Sequence, residues 1–201
     1  GTNRGSKNSE SIKIGAPADS LNSIVVNAVD FDGKPASYTR IGPVLSFFYK
    51  PDICYYGGDK SERITVCEPL GMAKVCGTSF AAPWITRKMA YLIHIVGLSR
   101  EAAKALIIDS AAGWNRQDGI KYSMGYGIVP KNIQDIIHST DDEIRFIMNG
   151  TIDEYETYTY NIPVPQDMNA YPFFAKATLV YFPSCDRDQG VDYTSTEMDL
   201  H

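Results

Sequence analysis

Five apolar residues, Ile85, Met89, Leu92, Ile93 and Val96, recur at i, i+4, i+7, i+8 and i+11. That spacing places them along one face of an α-helix, which then has to pack on another layer. Arg87, Lys88 and Tyr91 fall off the stripe. Gly97 is placed to stop this helix, and Ser99 to cap a second one through about Ala111, in SREAAKALIIDSA. A shorter helix is predicted in KNIQDIIHS after Pro130, with Ile133, Ile136 and Ile137 on one side.

Strand patterns lie on both sides of these helices. SIVVNAVD, Ser23 to Asp30, is short, apolar and rich in β-branched residues, and turn residues bound it; it reads as a buried strand. DFDGKPASYT is turn chemistry. GPVLSFFY, Gly42 to Tyr49, is a second strand candidate, followed by a turn at Lys50-Pro51-Asp52. Beyond about residue 140 only strand patterns remain: EIRFIM, YETYTYNI and AKATLVYF, the last with Ala175, Ala177, Leu179 and Tyr181 on one face. The order, mixed α/β and then all-β, divides the chain into a unit over 1–140 and a β-rich unit over 141–201.

The 201 residues suffice for one large domain, or for a medium and a small one. The net charge of -5 argues against a nucleic-acid surface, and the longest basic cluster is Arg87-Lys88. There is no apolar run long enough to span a bilayer. The chain starts at Gly1 rather than Met, and GTNRGSKNSE has no apolar core, so it is not a secretory signal. Gly1 reads as a processing or cloning remnant, the natural start is expected elsewhere, and the compartment stays open. Cys54, Cys67, Cys76 and Cys185 form no CxxC pair and, with three histidines, do not compose a zinc site. Scattered free thiols are expected, although the spacing permits one disulfide among the first three.

Directly ahead of the long helix stands GTSFAAP, Gly77 to Pro83. A serine hydroxyl is a poor nucleophile until a base takes its proton. At a helix start, free amides and the positive dipole end favour developing negative charge. Gly77 allows a sharp turn, Ala81 and Ala82 leave room, and Pro83, which lacks an N–H, is tolerable in a first turn. A lone Gly-Thr-Ser would be read as an N-cap at Thr78 or Ser79. Seven contiguous residues followed by an apolar helix say more: the stretch resembles the serine motif G-T-S-x-A-x-P of the subtilisin-like serine proteases, the subtilases. Other segments agree in order over about residues 1–140. KIGAPADSLNSIVVNAVD is similar to a family segment leading into a core strand, with Asn27 where glycine is usual. YTRIGP resembles FSSRGP, and GYGIVP resembles GYGxVNA. KPDICYYGG resembles KPDVVAPGG, with Tyr55-Tyr56 in place of Ala-Pro.

The resemblance implies an α/β fold: the C-terminal part of a subtilisin-like, three-layer parallel-sheet domain, then a partial β-sandwich from 141. AKATLVYFPSCDRDQGVDYTSTEMDL resembles the strand pair VTLAWTDP…NDLDL of that second domain, which in relatives continues further. The implied activity is that of a serine endopeptidase with Ser79 as nucleophile and Gly77 and Thr78 against the substrate. GTNRG resembles the end of the motif A-A-G-N-x-G, with Thr2 replacing its glycine. Asn3 would then donate its side-chain amide to the oxyanion; a flexible polar N-terminal tail is the lesser alternative. Subtilases carry their triad in the order Asp, His, Ser, and no histidine precedes Ser79. His94 follows it by 15 positions in the same helix, roughly 22 Å away; His138 ends a helix and His201 ends the chain. The resemblance therefore implies that Asp and His belong to a missing N-terminal half, a partner alongside the peptide or protein substrate, and that this chain alone is inactive. The alternative is a non-catalytic binding or structural module on a subtilase fold. An unrelated esterase is excluded, because no G-x-S-x-G is present.

No cofactor is expected. DRDQGVD groups Asp186, Asp188 and Asp192, and alternating carboxylates can bind calcium. Gly190 occupies a ligand position and no flanking helices are apparent, so a solvated loop is the weightier reading. DFDG, from Asp30, reads as a turn, and Asn149-Gly150-Thr151 is a glycosylation sequon only in a host that glycosylates.

Overall fold

The computed structural model describes residues 13–44, 49–112, 120–162, 174–186, 188, 194 and 198–200. Its centre is a parallel strand pair, β1 (Val26–Val29) and β2 (Ile53–Tyr56), in register from Val26 opposite Ile53 to Val29 opposite Tyr56. Helix α1 (Thr78–His94) packs across both strands, and α2 (Arg100–Ala111) packs on α1. Ala28, Ile53 and Tyr55 of the sheet meet Ala81, Ile85 and Leu92 of α1, and Ala103 and Ile107 of α2. Parallel strands covered in this way read as continuous apolar runs, which is why Ser23 to Asp30 is legible as a strand.

The long helix begins earlier and ends sooner than its stripe suggests. Ile85 and Leu92 are buried, and Met89 and Ile93 are half-buried against the core. Val96 is 44% exposed. The helix closes at His94 because Gly97 turns the chain at φ +84° and the Leu98 amide donates back to the Leu92 carbonyl at 3.0 Å. Pro83 stands in the second turn rather than the first, so the Ser79 carbonyl has no i+4 amide to accept from. The Ser99 hydroxyl caps α2 as expected, accepting from the Ala102 amide at 3.1 Å. Two short turns follow, α3 (Lys121–Met124) and α4 (Gln134–Ile137); Ile136 is buried, with Ile133 and Ile137 half-buried beside it.

Several expectations are corrected. Lys50-Pro51-Asp52 is not a surface turn but the buried entry to β2. Lys50 Nζ lies 2.7 Å from Asp52 Oδ2 and donates to the Ser23 carbonyl at 2.9 Å, while Asp52 Oδ2 accepts the Val25 amide at 2.6 Å. This ion pair fastens the chain ahead of β1 to the chain ahead of β2. Of the second strand candidate, residues 45–48 lie outside the described residues and 42–44 form no strand. An unforeseen hairpin, β3 (Ile64–Glu68) with β4 (Gly71–Val75), is antiparallel and leads into α1.

Beyond residue 140 the patterned segments form no strands among the described residues, where one isolated bridge joins Cys185 and Thr194. A period-2 pattern describes a surface that fits a sheet, but the strand exists only with a paired neighbour. The segment 174–185 instead lies on α2. Its contact face is Lys176, Thr178 and Val180: Lys176 Nζ donates to the Asp109 and Ala112 carbonyls at 2.8 and 3.0 Å, Thr178 Oγ1 is 3.0 Å from Asp109 Oδ1, and Val180 packs on the core. Ala175, Ala177 and Leu179 face away and are exposed. Among the described residues no helix is long and apolar enough to cross a membrane. The four cysteines are free thiols.

Candidate active site

The GTS turn is built at the carboxyl end of β2, the end of a parallel sheet at which α/β folds bind ligands. After Tyr56 the chain passes through Gly57 and Gly58, whose amides both donate to the Val29 carbonyl, at 3.1 and 3.2 Å. The Gly57 carbonyl then accepts the Gly77 amide at 3.1 Å. A Cβ on Gly57 would stand 2.8 Å from Ala28 Cβ and 2.9 Å from the Gly77 carbonyl oxygen, so the approach requires glycine. Gly77 has φ 157° and ψ 154°, a conformation that side chains rarely adopt.

Gly77 is also the N-cap of α1, with no side-chain cap bond. Neither Thr78 nor Ser79 serves as the cap. Thr78 is buried and Ser79 is exposed. Among the described residues the Ser79 hydroxyl and the Ser79 amide have no hydrogen-bond partner, and the Phe80 amide donates back to the Gly77 carbonyl at 3.0 Å. The turn thus presents a free hydroxyl and a free N–H together at the positive end of a 17-residue helix.

Tyr38 closes the turn from behind. Its hydroxyl donates to the Gly58 carbonyl at 2.7 Å, with the Gly57 carbonyl at 3.3 Å. Burial, and next the neighbouring Cys76 and Asp59, push the phenol well above its ordinary range, so it remains a donor. Asp59 is held by the Ser37 amide at 2.8 Å, the Ser37 hydroxyl at 2.7 Å and the Lys60 amide at 2.7 Å. Burial opposes the charged form, but these donors prevail and keep the carboxyl below its usual value.

Of the residues singled out by sequence, Gly77, Thr78 and Ser79 come together in this turn. Asn3 lies outside the described residues. His94 closes the same helix roughly 22 Å from Ser79, and His138 caps the far end of α4, which packs against α2. Asp186 and Asp188 are exposed, the Asp188 amide donating to Asp186 Oδ1 at 3.0 Å; Asp192 lies outside the described residues. Among the described residues no group of three or more potential metal ligands converges. The support given by Gly57 and Tyr38 escaped the sequence reading, although the Gly-Gly pair of KPDICYYGG was its available signal.

No curated protein sequence matches the chain. Its fold is similar to the epidermin leader peptide processing serine protease EpiP of Staphylococcus aureus, at a TM-score of 0.53 and 16% identity, covering 65% of this chain and 33% of that one. A mutant of the same protease gives 0.52 and 16%, over 62% and 33%. The CspB protease of Clostridium perfringens matches at a TM-score of 0.48 and 24% identity, over 62% and 29%. At these identities the likeness to EpiP shows the fold alone, and the chain spans about a third of that protein's length. The profile of the subtilase family matches residues 1–127, well over half of the sequence. The chain belongs to the subtilase family.

Proposed function

We propose that this chain supplies the nucleophile-bearing part of a serine endopeptidase. Ser79 Oγ attacks the peptide carbonyl, and the Ser79 amide, with the side-chain amide of Asn3, receives the charge that develops on its oxygen. Gly77 and Thr78 shape the floor on which the scissile bond lies. The base and its orienting carboxylate come from residues outside these 201, because no histidine precedes Ser79 and His94 stands a whole helix away. One observation carries the reading: Ser79 is exposed with hydroxyl and amide both unpartnered among the described residues, at a helix start held to the carboxyl end of a parallel sheet. A serine that merely capped the helix would accept from a backbone amide of the first turn.

A fluorophosphonate probe tests this. The 201-residue chain alone should remain unlabelled and should turn over no peptide, since the missing general base accounts for about 10²–10⁴ in rate. The protein expressed with its natural upstream sequence should label stoichiometrically, and Ser79→Ala should abolish labelling. Failure of that longer protein to label would assign the chain to a non-catalytic module. Labelling of the chain alone would show that a base lies within it.

A further inference from the structure

Gly57, Gly58 and Asp59, which leave the end of β2, are gripped by two consecutive residues from another part of the chain, Ser37 and Tyr38. The Ser37 amide and hydroxyl both donate to the Asp59 carboxylate, at 2.8 and 2.7 Å. The Tyr38 hydroxyl donates to the Gly58 carbonyl at 2.7 Å and stands 3.3 Å from the Gly57 carbonyl. That Gly57 carbonyl is the acceptor of the Gly77 amide at 3.1 Å. The Tyr38 hydroxyl therefore lies beside the bond that ties the Ser79 turn to β2.

A pair of glycines does not fix its own conformation, because each has wide backbone freedom; Gly58 stands at φ +69°. The stretch needs to be pinned from outside, and Tyr38 does this from within the core. Tyr38, Gly57 and Gly58 are all buried. A buried carbonyl deprived of its donor is penalised, so the chain shifts to satisfy it. The oxygen of Tyr38 is not needed to fill space. YTRIGP resembles the FSSRGP of subtilases, which sets Tyr38 where they carry phenylalanine. A phenylalanine ring fills nearly the same volume and donates nothing.

We propose that the Tyr38 hydroxyl is a positioning group for Ser79: through the Gly58 and Gly57 carbonyls it sets the orientation at which the Gly77 turn presents the Ser79 hydroxyl to a substrate carbonyl. The proposal rests on the reading of Ser79 as a nucleophile. Tyr38 is buried behind the turn and meets no substrate. Its loss changes the aim of the attacking oxygen and leaves every group that touches the substrate in place. The effect therefore falls on the rate of attack and not on binding.

Tyr38→Phe tests this with the fluorophosphonate probe, in the protein expressed with its natural upstream sequence. A misplacement of ~1 Å costs about 10²-fold in rate; the loosening expected here is smaller, so the limiting labelling rate should fall about tenfold. The half-saturating probe concentration should be unchanged and the end point still stoichiometric. In the 201-residue chain, hydrogen exchange gives a second readout that needs no activity. Tyr38→Phe should speed exchange at the Gly77 amide by more than at the Cys54 amide, which is bonded to the Gly127 carbonyl at 2.7 Å. Equal labelling rates for the two proteins would overturn the proposal alone. A lowered end point at an unchanged rate, or equal acceleration at Gly77 and Cys54, would report general loss of the fold and overturn it as well. An unaltered longer protein that takes no label would remove the reading of Ser79 and this proposal with it.

Discussion

The amide of Gly77 donates to the carbonyl of Gly57 at 3.1 Å, and that bond ties the turn bearing Ser79 to the carboxyl end of β2. The two glycines lie 20 residues apart, with the β3–β4 hairpin between them. The hairpin can therefore project, with Leu70 and Met72 exposed, while the turn behind Ser79 stays fixed to the core. Rigidity of this kind is what the role proposed for Ser79 requires.

Gly57→Ala is the direct probe of this tie. The added methyl meets Ala28 Cβ at 2.8 Å and the Gly77 carbonyl at 2.9 Å, and neither is the free end of a flexible side chain. Overpacking of this kind costs about 1–3 kcal/mol. Urea unfolding should show a midpoint lowered accordingly, with the slope unchanged. An undisturbed midpoint would mean that the two segments part without cost.

What could be read from the sequence follows from how locally each feature is specified. Ile85 and Leu92 are fixed by helical periodicity alone, and Ser99 by cap chemistry, so both were legible. Val96 fits the period but not the structure, because the helix closes at His94, ahead of the stop at Gly97. Ile53 to Tyr56 escaped notice because a strand buried on both faces has no alternation, and because Lys50-Pro51-Asp52 mimics a turn. There the deciding fact is a buried ion pair whose hydrogen-bond partners, Ser23 and Val25, lie 27 residues away, which no local pattern reveals. The hairpin left a weak trace, Ile64 and Val66 at period 2 before Pro69-Leu70-Gly71. At the candidate site, Gly77, Thr78 and Ser79 were legible as a contiguous motif. Their support from Gly57 and Tyr38 was not, since it depends on long-range contact.

Asp52→Ala should be among the most damaging substitutions. Lys50 is 1% exposed, and its ammonium would be left in the interior without its carboxylate. Breaking a buried pair in this way costs roughly 3–5 kcal/mol. The double change Lys50→Met, Asp52→Ala should recover part of the loss, because no unpaired charge remains. A double-mutant cycle read by thermal unfolding checks the sign, and additive losses would show that the two groups do not interact.

Asn27 stands where subtilases carry glycine, and its side chain gives the reason. Asn27 Nδ2 donates to the Arg40 carbonyl and to the Ser123 carbonyl, each at 2.9 Å. It thereby joins β1 to the segment before Ile41 and to α3. Restoring the family residue with Asn27→Gly should lower stability by about 0.5–1.5 kcal/mol for each hydrogen bond lost to a part-buried acceptor. A neutral or stabilising result in chemical denaturation would remove this explanation.

Asp59 makes the support of the turn sensitive to acid. Its folded-state pKa is depressed by the Ser37 and Lys60 donors against the opposing effect of burial. The sign is that of a carboxylate lowered on folding: its contribution is present above the unfolded value near 3.8 and is lost as pH falls through the lower folded value. Asp59→Asn should therefore flatten the acid limb of stability against pH while leaving the neutral region less affected. Identical acid limbs for the two proteins would show that the carboxylate contributes nothing there.

Cysteine reactivity distinguishes the buried strand from the projecting hairpin. Cys54 of β2 is fully buried, and burial pushes its thiol up to about 12. Cys67 of β3 is exposed. Only the thiolate attacks a disulfide reagent, so at about pH 8 an aromatic disulfide should modify Cys67 readily in the folded protein. Cys54 should react only as denaturant opens the sheet. Cys67→Ser should remove the fast phase, and Cys54→Ser should remove a phase that appears with unfolding. Rapid modification of Cys54 without denaturant would show that β2 is open to solvent, and the parallel pair on which the Ser79 turn rests would then not be the closed core described above.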